Sequence, residues 1–253
     1  MFIYKTTQRY SLLKVKMQAL STSVRAQYFI ETHELADMLQ SNKNLKIVNA
    51  TWYMPNSGKD AKKEHLEARI TPATVFFDHD EICDKSINLP HTMPTLEIFT
   101  ENMRKLGIQR NHDIVCYDTQ GMFSVARAAW MLRYFGAQNV RILNGGLKKW
   151  IKEDRPLAKN AAQEPVSADG DFGFSVKDPS RCILDIKQMH SVAKELYHGG
   201  SSGKVQVLDA RSADRFNAKV AEPRPGVRSG SIRNSINVPF NLLVNEDGTF
   251  KSE

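Results

Sequence analysis

Asp113-Ile-Val-Cys-Tyr-Asp118, Ser124-Val-Ala-Arg-Ala-Ala-Trp-Met-Leu-Arg-Tyr-Phe-Gly136 and Val140-Arg-Ile-Leu-Asn-Gly-Gly-Leu-Lys-Lys-Trp150 follow one another in a single run. The first segment is a short apolar strand ending on an acidic residue at a turn. The second has helical spacing and closes on a glycine. The third is another strand, after which Gly145-Gly146 opens a helix carrying Trp150. Strand, helix, strand and helix in succession predict a parallel α/β sheet with helices on its faces.

The same alternation extends outward. Residues 31–40 read as a helix with Thr32 as its N-cap candidate, and Leu35, Met38 and Leu39 on one face. Leu45-Lys-Ile-Val-Asn-Ala and Thr74-Val-Phe-Phe read as strands. Residues 95–106 form an amphipathic helix closed by Gly107. Residues 153–179 break the pattern with Pro156, Pro165, Gly170, Gly173 and Pro179, which marks a linker. Helical spacing resumes at Ile183, Ile186, Met189 and Val192, followed by a strand at Val205-Gln-Val-Leu-Asp.

The chain also repeats itself. Lys46-Ile-Val-Asn-Ala-Thr matches Gln206-Val-Leu-Asp-Ala-Arg, and Arg69-Ile leading to Thr74-Val-Phe-Phe matches Ser231-Ile leading to Ile236-Asn-Val-Pro-Phe. In the first copy the unit continues through the run quoted above. The expected layout is a leader (1–30), a first domain (31–152), a linker (153–179) and an incomplete second domain (180–253).

Charge is unevenly spread. Five of the +7 net charges lie in the acid-free residues 1–30, as Lys5, Arg9, Lys14, Lys16 and Arg25. Such a leader resembles a mitochondrial transit peptide, the alternative being a solvated tail; Met17 offers a start for a shorter cytosolic form. The remaining body is close to neutral, which argues against a nucleic-acid surface. No apolar run approaches the ~20 residues of a spanning helix. Cys83, Cys116 and Cys182 are too scattered for a disulfide framework or a zinc cage, and no metal or cofactor motif is present.

On the strand–turn–helix run 115–136 and its continuation 140–150, the chain resembles the two-domain sulfurtransferases, the family of rhodanese and 3-mercaptopyruvate sulfurtransferase. The likeness spans roughly residues 30 to 250. It implies two similar α/β domains, the second being catalytic. A cysteine on the active loop of that second domain carries sulfur as a persulfide. It also implies a small anionic sulfur donor and a thiol acceptor such as a thioredoxin-like protein. A thiolate of lowered pKa and arginines suit that chemistry, because guanidinium forks bind carboxylates bidentately. Arg215, in Ala-Asp-Arg-Phe, sits where both branches of the family place a substrate arginine. Arg224, in Glu-Pro-Arg-Pro, sits where the mercaptopyruvate branch has a second. The competing reading is a pair of surface arginines paired with Asp214 or Glu222. Asp80 and His91 match an aspartate and a histidine that assist the mercaptopyruvate branch; the bland alternative is a solvated loop histidine.

Asp118 stands at the turn position of the catalytic cysteine, as expected of a first domain. Cys116 reads as core. Cys83 is a loop thiol, and Cys182 precedes the second-half helix. The nucleophile is therefore expected to lie beyond Glu253, and the 253-residue chain to be without turnover. A non-catalytic binding or regulatory module is the alternative. A phosphate loop is ruled out, since Leu89, Met122 and Gln188 stand where its arginine would follow each cysteine.

Overall fold

The computed structural model describes residues 2–5, 22–160, 170, 172–176, 183–198, 205–224 and 226–251. The chain forms two compact units, Leu20–Lys177 with Glu246–Ser252, and Met1–Ala19 with Asp178–Asn245. Strand β1 (Phe2–Lys5) belongs to the smaller unit.

In the larger unit, α1 (Thr22–Tyr28) runs into β2 (Phe29–Ile30), followed by α2 (Thr32–Ser41), β3 (Leu45–Asn49), α3 (Ala61–Glu67), β4 (Ala68–Arg69) and β5 (Val75–Phe76). Then come α4 (Leu96–Leu106), β6 (Asp113–Tyr117), α5 (Val125–Tyr134), β7 (Asn139–Leu143), α6 (Gly146–Lys152) and β8 (Ala158–Lys159). Five strands make a parallel sheet in the order β2-β7-β6-β3-β5. The side chains of β6 alternate between its faces. Ile114 and Cys116 join Phe99, Met103, Val125, Ala128 and Leu132 on one side. Val115 and Tyr117 join Leu35, Leu147 and Trp150 on the other. A strand buried on both faces needs this continuous apolar sequence, which is why Ile-Val-Cys-Tyr reads as it does.

The helix ends follow local chemistry. The Thr95 hydroxyl accepts the Ile98 N–H at 3.3 Å, and Gly107 closes α4 at φ 58°. The cap of α2 falls one residue before the expected Thr32. Glu31 is the N-cap, its N–H donating to Glu34 at 2.8 Å, while the Thr32 hydroxyl donates to Glu153 at 2.6 Å. A long side chain reaching back can displace a hydroxyl cap.

Three expected boundaries need correction. The leader was set at 1–30, yet α1 and β2 lie in the larger unit, where β2 pairs with β7 and Phe29 stacks on Phe250 at 5.1 Å. The linker was set at 153–179. β8 pairs antiparallel with β4, and Phe172 and Phe174 are buried, with Phe174 edge-on to Phe99 at 5.2 Å. Proline and glycine broke the periodicity there, but two aromatic side chains still found the core. The stretch Glu246–Lys251, expected in the second domain, also belongs to the larger unit. The Phe250 N–H donates to Asn144 at 2.8 Å.

In the smaller unit, α7 (Ile186–Tyr197) begins with a reciprocal cap between Asp185 and Gln188. It leads to β9 (Val205–Asp209), α8 (Ala213–Phe216) and β10 (Ile236–Asn237). β10 pairs parallel with β9, and β1 pairs antiparallel with its other edge. The repeat is visible in hydrogen bonds. The Phe77 N–H donates to Asn49 O at 2.8 Å, and the Val238 N–H to Asp209 O at 2.9 Å. The Thr51 N–H donates to the Asn49 side chain and the Arg211 N–H to the Asp209 side chain, both at 3.0 Å.

Candidate functional site

In the larger unit, the loops that leave the C-terminal ends of β3, β5 and β6 meet, the usual place for a site in an α/β sheet. The β6 loop is organised by Asp118. One carboxylate oxygen accepts the N–H groups of Gln120 (2.9 Å) and Gly121 (2.6 Å). The other accepts those of Phe123 (2.8 Å), Ser124 (2.8 Å) and Val125 (3.0 Å). This is a ring of amides at the start of α5, a natural anion cradle, filled by the protein's own side chain. Close backbone approach supports it: a Cβ on Gly121 would lie 2.7 Å from Gly248, and one on Gly146 would collide with the Asp118 carbonyl.

The β3 loop is tied to this ring. Ser124 Oγ donates to Ala50 O at 2.7 Å and accepts the Trp52 N–H at 3.0 Å, while the Thr119 N–H donates to Thr51 Oγ1 at 3.1 Å. The β5 loop brings Asp80 to His91. His91 Nε2 and Asp80 Oδ1 are 2.7 Å apart. A carboxylate oxygen accepts, so in this pair Nε2 is the donor, and the other ring nitrogen, Nδ1, lies outside it. The His91 backbone adopts φ 56°, and its carbonyl accepts from Arg127 Nη2 at 2.8 Å. His79 is separate. Its ring is buried, Nε2 lies 3.0 Å from Ala50 O, and burial drives its pKa down to about 4. It is a core histidine turned toward the β3 loop, apart from the Asp80–His91 contact.

Neither described cysteine has a nucleophile's setting. Cys116 is fully buried in β6, and burial pushes its thiol up to about 12. Cys83 is buried, its Sγ 3.1 Å from Asp80 O. Cys182 lies outside the described residues.

The arginines belong to the smaller unit. Arg215 is paired with Glu222 through Nη2 and, at 3.2 Å, through Nε. Arg211 holds the other Glu222 oxygen at 2.9 Å and also grips Asp209. The Arg215 guanidinium, with Arg211 beside it, holds the Glu222 carboxyl below its usual range. The surface-pair reading of Arg215 thus has its partner in Glu222. Arg224 is exposed on the turn that follows. An open cavity of about 770 Å³ is lined by Arg211, Arg228, Ser229, Gly230 and neighbours, without Arg215 or Arg224.

Sequence reasoning missed Trp52, Arg127, Arg211 and the amide ring around Asp118. The Trp52–Asp80 bond spans 28 positions, so no local pattern marks it. The amide ring could have been found, since an acidic residue between a strand and a Gly-containing turn before a helix is a nest signature.

Residues 33–153 match the rhodanese-like domain. The 3-mercaptopyruvate sulfurtransferase of Escherichia coli (strain K12) is 34% identical over 220 residues, which are 87% of this chain and 73% of that protein. Thiosulfate/3-mercaptopyruvate sulfurtransferase 1, mitochondrial, of Arabidopsis thaliana is 34% identical over 84% of this chain and 59% of its own length. The crystal structure of SseA from Escherichia coli, a 3-mercaptopyruvate sulfotransferase with the "Rhodanese" fold, superposes with a TM-score of 0.73 at 32% identity, covering 89% of this chain and 79% of that one. With its parallel sheet flanked by helices and a larger unit of rhodanese-like sequence, the chain belongs to the rhodanese-like sulfurtransferase family.

Proposed function

We propose that this protein handles 3-mercaptopyruvate, with thiosulfate as the weaker donor, and passes its sulfur to a thiol acceptor such as a thioredoxin-like protein. The Asp80–His91 pair carries the proposal, because a carboxylate-oriented imidazole with Nδ1 unprotonated is the group that removes a proton from a donor thiol. Arg215 and Arg224 hold the donor's carboxylate and keto oxygen. A cysteine thiolate then attacks the donor sulfur. The S–S bond forms, the C–S bond breaks, and the proton taken from the donor thiol returns to the methylene carbon as pyruvate leaves. The acceptor thiolate next takes the outer sulfur. Buried Cys83 and Cys116 are unsuited to that role.

If the chain binds the donor and does not turn it over, it is a binding module in its own right, a reading favoured by the buried Cys83 and Cys116. The acid-free basic leader supports a mitochondrial address, with a cytosolic form starting at Met17. Among the described residues no helix is long and apolar enough to cross a membrane.

Calorimetric titration of the chain tests the assignment. Binding of 3-mercaptopyruvate should exceed that of thiosulfate, and Arg215→Ala and Arg224→Ala should each weaken it by roughly tenfold. Equal binding of both donors, unchanged by either substitution, would refute it.

A further inference from the structure

A carboxylate can orient a histidine only if something orients the carboxylate. The Asp80 side chain is 64% exposed on a loop, where water competes for both oxygens. One oxygen faces His91. The other, Oδ2, accepts the Trp52 indole N–H at 3.1 Å. The same indole stands edge-on to the His91 imidazole, with ring centroids 4.8 Å apart at 88°. Trp52 therefore touches both members of the pair with different parts of one rigid ring.

Trp52 is itself fixed. Its backbone N–H is held by Ser124 Oγ at 3.0 Å, and Ser124 is bound to Ala50 O and to the Asp118 carboxylate through its N–H. The indole is also stacked on Phe123, with ring centroids 6.4 Å apart at 13°. A chain of contacts thus runs from the buried amide ring at the end of β6 out to an exposed carboxylate. On the other side, Arg127 grips the carbonyls of His91 and Thr92 at 2.8 and 3.2 Å, which holds the left-handed backbone of His91 in place.

We propose that Trp52 is a positioning residue for the Asp80–His91 pair, locking the carboxylate through its indole N–H and the imidazole through its ring. The inference rests on that pair acting as the proton acceptor. Trp52 touches no reacting atom. Its work is to keep Asp80 Oδ1 on Nε2, so that Nδ1 stays the basic nitrogen. Without the indole donor, Asp80 turns toward water and His91 loses the partner that selects its tautomer.

The test is proton NMR of the full 253-residue chain, read at two labile hydrogens. In the unmodified protein the His91 Nε2–H should be visible near neutral pH and show a cross-peak to the Trp52 ring. Trp52→Phe keeps the aromatic packing and removes the donor. Its backbone amide spectrum should stay native while the His91 Nε2–H exchanges with water at least about tenfold faster. Asp80→Ala should abolish the His91 signal and speed indole N–H exchange of Trp52 by a similar factor. This second variant decides the matter even if Trp52→Phe fails to fold. If Asp80→Ala removes the His91 signal while neither Trp52→Phe nor the indole exchange responds, the pair stands and the Trp52 role is wrong. If the unmodified protein lacks a protected His91 Nε2–H, the pair itself is wrong and the Trp52 role falls with it.

Discussion

β3 and β9 have matching sequences and the same hydrogen bonds in the turns that follow, yet they live in different surroundings. β3 lies between two parallel neighbours, β5 and β6, and ends in three buried residues. β9 has a parallel neighbour in β10, but its other edge is taken by the antiparallel β1, and only its central Val207 is buried. The strand sequences are alike, Leu-Lys-Ile-Val-Asn and Val-Gln-Val-Leu-Asp, and so are the turns that follow. What differs is the third strand. β6 brings its own apolar run, the side chains of α4, α5 and α6 packed against it and the amide ring of Asp118. In the larger unit, most of the core and the frame of the site come from the part of the chain that follows β3.

The largest effect expected from this contrast is in the core beside β6. Phe99 is fully buried, stacked on Phe135 at 4.1 Å and edge-on to Phe174. Phe99→Ala should cost about 3–5 kcal/mol. All three tryptophans lie in the larger unit, so their fluorescence reports its unfolding alone. Asp118→Asn places an amide NH₂ against backbone N–H groups and should cost roughly 3 kcal/mol by the same probe, because each orphaned buried donor costs about 1–3 kcal/mol. A smaller loss would show that the amide ring is not what frames the loop.

The pH dependence sharpens the contrast further. His79 folds neutral, with its pKa lowered by burial from 6.5 to about 4. The unfolded chain takes up this proton first as pH falls. The stability is therefore fully present above pH 6.5 and declines between 6.5 and 4, by roughly 3 kcal/mol in all. His79→Gln should flatten that decline in the tryptophan signal while leaving hydrogen exchange of β9 unchanged. The smallest effect is expected in the smaller unit, where Val207→Ala should cost about 1 kcal/mol, read as faster amide exchange along β9. A cost equal to that at Phe99 would erase the distinction between the two strands.

The architecture was legible because the parallel strands of the larger unit are buried on both faces and therefore read as apolar runs. Ile-Val-Cys-Tyr and Arg-Ile-Leu need no context to be recognised, and Gly107 and Gly136 mark helix ends by their positive φ. The linker was misread because Phe172 and Phe174 pack through tertiary contacts that leave no periodicity behind. The extent of the leader was misread because a two-residue strand such as Phe29-Ile30 has no pattern at all. At the site, His91 was separated from His79 by its spacing from Asp80. Trp52 and Arg127 stayed hidden, since each acts through one long-range hydrogen bond or two, and a single sequence carries no trace of such pairs.

The most direct test of the account is a sulfur-transfer assay on the purified 253-residue chain, with 3-mercaptopyruvate as donor and a thiol or cyanide as acceptor, together with mass spectrometry of its three cysteines. The account predicts donor binding without cysteine-dependent turnover, and no stable persulfide on Cys83, Cys116 or Cys182. Robust turnover that disappears when one of those three cysteines is replaced by serine would contradict it.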